Sequence, residues 1–191
     1  MEKILRGIMR YRVLDRAQMV KQFEKIKDSP TPKAVFYTCM DSRMIPTRFT
    51  ETSVGDMFVV RNAGNVIPHS QFFVDEMTSC EPAALELGCI INDIRHIIVC
   101  GHSDCKAMNL LYSLRSKEES SKVNTLQQLQ NIASYGMLKQ RLLKHDLHIH
   151  ALWFDIYTGD IYYFSRRAKR FITIDESTYE IILAEVRRYY S

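Results

Sequence analysis

Two short apolar runs each lead straight into a metal-ligating residue. Ala34-Val35-Phe36-Tyr37-Thr38-Cys39 ends on a thiol; His96-Ile97-Ile98-Val99-Cys100-Gly101 is followed at once by His102 and then by Cys105. Runs this short, and apolar at almost every position, suit strands covered on both faces, the condition of a parallel sheet flanked by helices. In such sheets chemistry collects at the carboxyl ends of strands. Neighbouring strand ends would join two thiols and an imidazole, a set that zinc accepts. Four protein ligands would make a closed, structural site. Three leave a coordination position open for water, as hydrolytic or hydrating zinc chemistry needs.

The remaining pattern alternates strand and helix. Residues 3–27 read as one helix, with Ile4, Leu5, Ile8, Met9, Met19, Val20, Phe23 and Ile26 on recurring turns, stopped by Ser29-Pro30-Thr31-Pro32. Residues 56–61 read as a second strand ending in the turn-prone Asn62-Ala63-Gly64-Asn65. Ser79 is placed to cap a helix that holds Pro82 in its first turn. Residues 150–156 form a further strand, which Thr158-Gly159-Asp160 turns into a hairpin partner, Ile161-Tyr162-Tyr163-Phe164. Asp175 or Ser177 caps a last helix carrying Ile181, Ile182, Leu183 and Val186. The expected fold is α/β: one domain over residues 1–191, with a mostly parallel central sheet, flanking helices and an N-terminal helical arm over residues 1–30.

Composition supports a single enzyme-sized domain, since 191 residues, 46% of them hydrophobic, can fill one core. The net charge of +4 is too small to argue for nucleic acid. Arg166-Arg167-Ala168-Lys169-Arg170 and Arg187-Arg188 read as a solvated face and a helix end. No apolar run is long enough to span a bilayer, and no signal-peptide core is evident. Five cysteines, an odd and sparsely spaced set, indicate reduced thiols in a reducing compartment.

Beside Cys39 stand Asp41 and Arg43, two residues apart and therefore on one side of an extended segment. A charged pair next to an open metal position makes a candidate reaction centre. Cys105 falls in the first turn of a helix, where free N–H groups favour the thiolate. Each residue alone has a plainer explanation: Cys39 as a small buried hydrophobe, His102 as a loop histidine, Asp41 and Arg43 as a structural ion pair. Their joint placement at two strand ends favours a site. Cys80, Cys89 and Cys100 read as buried packing. His145, His148 and His150 read as a helix end running into a strand rather than a second metal site.

These segments resemble the β-class carbonic anhydrases. Cys39-Met40-Asp41-Ser42-Arg43 is similar to that family's Cys-x-Asp-x-Arg signature, Gly55 to Asn65 to the block that follows it, and Cys100-Gly101-His102-Ser103-Asp104-Cys105 to its second zinc motif. Glu81 to Gly88 and Cys105 to Asn109 are closest to the animal, mitochondrial members. The resemblance implies reversible hydration of carbon dioxide to bicarbonate and a proton by zinc-bound hydroxide. It implies one zinc ion per subunit on Cys39, His102 and Cys105. Asp41 would orient the hydroxide, and Arg43 would hold Asp41 off the metal; in a closed form Asp41 would itself be a ligand. Hydrolysis of CS2 or COS on the same scaffold is an alternative, and a zinc-stabilised interaction module of weakened activity is another.

The sequence departs from the family in two places, and from one of its subgroups in a further respect. Lys106 stands where most members have glycine. The stretch 111–122 is a shortened linker relative to the family, and Ser116 to Ser121 within it is polar. Phe36 and Phe154 replace aromatic residues used by the bicarbonate-regulated subgroup, of which only Arg61 matches. The resemblance further implies a homodimer or higher homo-oligomer, no nucleic-acid partner, and mitochondrial residence, with the cytoplasm as the alternative. The arm has apolar residues on more than one face and so is expected to fold against a partner. Its Lys3, Arg6, Arg10, Arg12 and Arg16 resemble a transit helix, although Glu2 and Asp15 are unusual in one.

Overall fold

The computed structural model describes residues 1–72, 79–111 and 117–190. The arm is two helices, not one: α1 (Glu2–Leu14) and α2 (Arg16–Ile26), parted at Asp15, whose φ of −107° and ψ of −26° mark the end of one helix and the start of the next. Neither buries a residue, and Ile4, Ile8, Val13 and Leu14 lie open to solvent. The body follows as β1 (Ala34–Cys39), a short α3 (Pro46–Phe49) and β2 (Met57–Asn62). Next come α4 (Cys80–Leu85), which continues as a wider π turn over Glu86–Ile91, then β3 (His96–His102) and α5 (Lys106–Leu111). The chain continues through α6 (Lys117–Ala133), α7 (Gly136–Leu143) and β4 (His148–Phe154), and finishes with β5 (Ile161–Ser165), β6 (Arg170–Thr173) and α8 (Tyr179–Tyr190).

A six-stranded sheet in the order β2-β1-β3-β4-β5-β6 ties these together. The pairs β2–β1, β1–β3 and β3–β4 are parallel, and β4–β5 and β5–β6 are antiparallel. The α/β architecture expected from the sequence is therefore the observed one. Central β1 is buried at every position, because both of its faces are covered. Alternate residues serve two cores. Val35, Tyr37, Ile97, Val99 and Ile149 meet Leu85, Ile132 and Leu138, whereas Phe36 and Cys100 meet Met44 and, at its margin, Phe49, Ile98 and Phe154.

Several local expectations are corrected. Residues 117–122 of the supposed linker are the first turns of α6, with Ser120 and Ser121 buried; residues 112–116 lie outside the described residues. Cys80 is exposed rather than packed, since it opens α4 at the surface. Ser79 has the extended backbone of an N-cap but makes no capping bond with its side chain. Asp175, not Ser177, organises the turn before α8: its Oδ1 accepts the N–H groups of Ser177 (2.9 Å) and Thr178 (3.0 Å). Part of the basic run after Ser165 pairs as β6, with Ser165 opposite Arg170.

Candidate metal centre

Parallel pairing in register puts the ends of β1 and β3 side by side: Thr38 pairs with Cys100, so Cys39 and His102 emerge at the same edge. Cys105 lies just before α5 and is buried with them. The ligand atoms of Cys39, His102 and Cys105 all lie within 4.8 Å of one another, and among the described residues no other set of three forms such a cluster. The two Sγ atoms are 3.9 Å apart. That is far beyond a disulfide bond. It is close to the roughly 3.8 Å edge of a tetrahedron with metal–sulfur bonds near 2.3 Å.

The imidazole supplies the test of fit. His102 Nδ1 donates to the Ser103 carbonyl at 2.7 Å, which fixes the tautomer and leaves Nε2 with a lone pair. Nε2 is buried and has no hydrogen-bond partner in the protein. A buried acceptor left unpaired costs about 1–3 kcal/mol, unless a cation takes the lone pair. The thiols lean the same way. The hydrogen bond from Cys105 holds the Cys39 thiol well below its ordinary range, and that same bond, helped by burial, pushes Cys105 up. Protein alone thus stabilises one thiolate of the pair; a cation is needed for both. The Gly64 N–H also points at Cys39 Sγ, at 3.4 Å. Gly64 has φ +79°, a left-handed conformation that favours glycine, and that conformation brings the amide in.

Around the cluster, Asp41 and Arg43 form the pair expected from their spacing. Arg43 Nε donates to Asp41 Oδ1 at 2.9 Å and Nη2 to Oδ2 at 2.7 Å, a two-pronged contact that holds the carboxyl well below the usual carboxylate range. All five residues expected at the site are therefore together. Sequence reading missed four supports. Asp104 shares the Arg43 guanidinium, taking Nη1 on Oδ2 at 3.0 Å and Nη2 on its carbonyl at 3.2 Å. Arg61 spans the loop after Cys39, donating to the carbonyls of Cys39 (3.2 Å) and Asp41 (2.8 Å). Ser121 donates to the His102 carbonyl at 2.6 Å and accepts the Trp153 indole N–H at 3.2 Å. Ser103 donates to Asp155 at 2.9 Å. Of these, Asp104 carried a signal as a carboxylate lying between two ligands, and Arg61 stands out in the sequence only for its match to one subgroup of the family.

The other histidines stand apart. His96 Nδ1 and His150 Nε2 hydrogen-bond each other at 3.1 Å, at the opposite end of β3, and the His148 ring lies tilted against His96 with centroids 5.4 Å apart.

Comparison with known proteins places this geometry. Residues 34–125 match the family profile described as carbonic anhydrase. Beta carbonic anhydrase 1 of Caenorhabditis elegans is 42% identical, covering 100% of this chain and 94% of its own. Its counterpart in Caenorhabditis briggsae is 38% identical, covering 98% and 93%. The alignment with the first runs over 254 positions against 191 residues here, so that relative carries residues with no counterpart in this chain. Among solved structures, the beta-carbonic anhydrase CcaA superposes with a TM-score of 0.79 at 28% identity, covering 91% of this chain and 98% of that one. Ligand set, fold and likeness over the whole length agree: the chain belongs to the β class of the carbonic anhydrases.

Proposed function

We propose that this chain hydrates carbon dioxide reversibly to bicarbonate and a proton, with Cys39, His102 and Cys105 holding one zinc ion per subunit, Asp41 orienting the nucleophile and Arg43 holding Asp41. The observation that carries this reading is the buried, unpartnered Nε2 of His102 beside two thiols. Zinc bound there supplies an acidified water as the nucleophile for CO2. The protein supplies the rest. Gly64 steadies the Cys39 sulfur through its N–H. Asp41 is kept ionised, ready to accept a hydrogen bond and aim a lone pair. Arg43 occupies both carboxylate oxygens, which withholds Asp41 from becoming a fourth ligand. Stopped-flow CO2 hydration with metal analysis tests the assignment. Arg43→Ala is expected to keep stoichiometric zinc yet lose most hydration; a zinc-free Arg43→Ala would reverse the division of roles. A wild-type protein that binds zinc and does not hydrate CO2 would defeat the activity itself.

Assembly as a homodimer through the arm is part of the same proposal. It is supported by two consecutive helices without one buried residue and by their exposed apolar side chains. A fungal neighbour in fold, from Sordaria macrospora, is described as tetrameric, with a TM-score of 0.66 at 19% identity. Light scattering of a chain beginning at Asp28 is expected to show a smaller species than the full chain; an unchanged dimer would free the arm of that role. Mitochondrial residence is proposed from the resemblance to animal members and from the basic residues of the arm. A fluorescent fusion confined to the cytoplasm would refute it.

A further inference from the structure

Asp104 is the one residue between the second and third ligands whose side chain reaches across to the loop of the first. Its backbone has φ +52°, a left-handed conformation that aspartate and asparagine tolerate better than most residues. In that conformation both its carboxylate and its own carbonyl face Arg43, at 3.0 Å from Nη1 and 3.2 Å from Nη2. Asn109 Nδ2, on α5, lies 3.4 Å from the other carboxylate oxygen. Arg43 is therefore gripped from two sides. Asp41 takes Nε and Nη2 on its own loop, and Asp104 takes Nη1 from the opposite one.

A guanidinium held only by its neighbour two residues away swings with that neighbour's loop. One also held by the opposite loop has its plane fixed. We propose that Asp104 is a positioning residue: it anchors Arg43 from the His102–Cys105 loop, so that Arg43 keeps Asp41 paired and out of the metal's fourth position. This rests on the reading of Asp41 and Arg43 given above. The effect is bounded by exposure, because the Arg43 and Asp104 side chains are 38% and 33% exposed. Exposed ion pairs of this kind are worth about a twofold to fivefold change in an equilibrium.

The test measures anion binding, which needs no turnover. Cobalt(II)-substituted protein is titrated with azide and followed by its d–d absorption, for wild type, D104G, D104N, R43A and the double variant R43A/D104G. Glycine removes the carboxylate without strain at φ +52°; asparagine keeps an acceptor and tolerates the same backbone. Azide affinity is expected to fall about twofold to fivefold in D104G and to recover most of that loss in D104N. R43A/D104G is expected to bind azide as R43A does, because Asp104 acts only through Arg43. Unchanged affinity in D104G, or a D104G loss that reappears in full on top of R43A, overturns the proposal. Should D104G fail to fold, D104N carries the same comparison, with a smaller loss that vanishes in the R43A background. Absence of CO2 hydration in the wild type would strike the proposed activity and leave this cycle readable.

Discussion

The two ends of β3 carry imidazoles in opposite circumstances. At the carboxyl end, His102 spends one nitrogen on a backbone carbonyl and presents the other, unpartnered, to two thiols. At the amino end, His96 and His150 spend nitrogens on each other, and His148 lies against the same ring. Burial is common to both. The donor set and the free lone pair belong to one end only. Histidine density therefore says little about metal, whereas an imidazole whose second nitrogen has nowhere else to go says a great deal.

Removing a histidine at each end breaks this comparison most sharply. His102→Ala is expected to purify without zinc and to hydrate CO2 at the uncatalysed background rate, by metal analysis and stopped flow. His150→Phe, of similar size and shape, is expected to keep stoichiometric zinc and nearly full activity. Equal zinc loss in both would erase the distinction.

Acid sharpens it next. Burial pushes His150 down to about 3, and burial also lowers His96 and His148. In the unfolded chain these rings take protons near pH 6.5. The unfolded state then binds more protons than the folded one, so stability is full above pH 6.5 and declines as pH falls toward 3. For His150 the decline is about 1.4 kcal/mol per pH unit in that window. Urea midpoints between pH 7.5 and 5.5 are expected to fall less in His150→Phe than in wild type. Because acid loss of zinc occurs in both proteins, the difference between them isolates the histidine. Parallel declines would contradict the assignment.

The smallest effect tests what supports the metal end from behind. Ser121→Ala leaves the His102 carbonyl and the Trp153 indole short of a partner, at a cost of about 1–2 kcal/mol. Thermal unfolding of the zinc-loaded protein is expected to register it, with zinc stoichiometry unchanged. A variant as stable as wild type would make that hydrogen-bond chain ornamental.

Ser121 also shows where sequence reading runs out. The sheet was legible because β1 and β3 are apolar at nearly every position, and the ligands were legible because they end those runs. The start of α6 was not, because its buried stripe is polar. Ser121, Asn124, Thr125 and Gln128 recur at helical spacing and are all buried. Each bonds to backbone: Ser121 to His102, Asn124 to Gly64, Thr125 to Ser121, while Gln128 accepts the Ile67 N–H. A search for apolar periodicity reads such a stripe as linker. Close approach of α6 to the sheet explains the small residues: a Cβ on Gly101 would sit 2.1 Å from Thr125 Oγ1. The break at Asp15 was hidden for a different reason, since the apolar pattern runs through it. The strand β6 was hidden at the end of a charge run: Arg170 closes that run, and the alternate residues after it, Phe171 and Thr173, pair with Phe164 and Tyr162.

The parallel register that sets Cys39 beside the other ligands has a consequence for how the molecule is made. Cys39 and Cys105 are 66 positions apart, whereas His102 and Cys105 are close neighbours. A newly made chain can grip a cation with the local pair at once. The third donor arrives only after β1 and β3 have found each other across a long loop, a closure that is slow and entropically opposed. Capture of the ion then resembles a latch dropping at the end of assembly, and it fastens a loop that contains β2 and α4. Refolding with zinc present from the start should therefore speed the approach to the native state little. It should instead slow the reverse reaction, so that the lifetime of the folded protein, more than its rate of formation, records the metal.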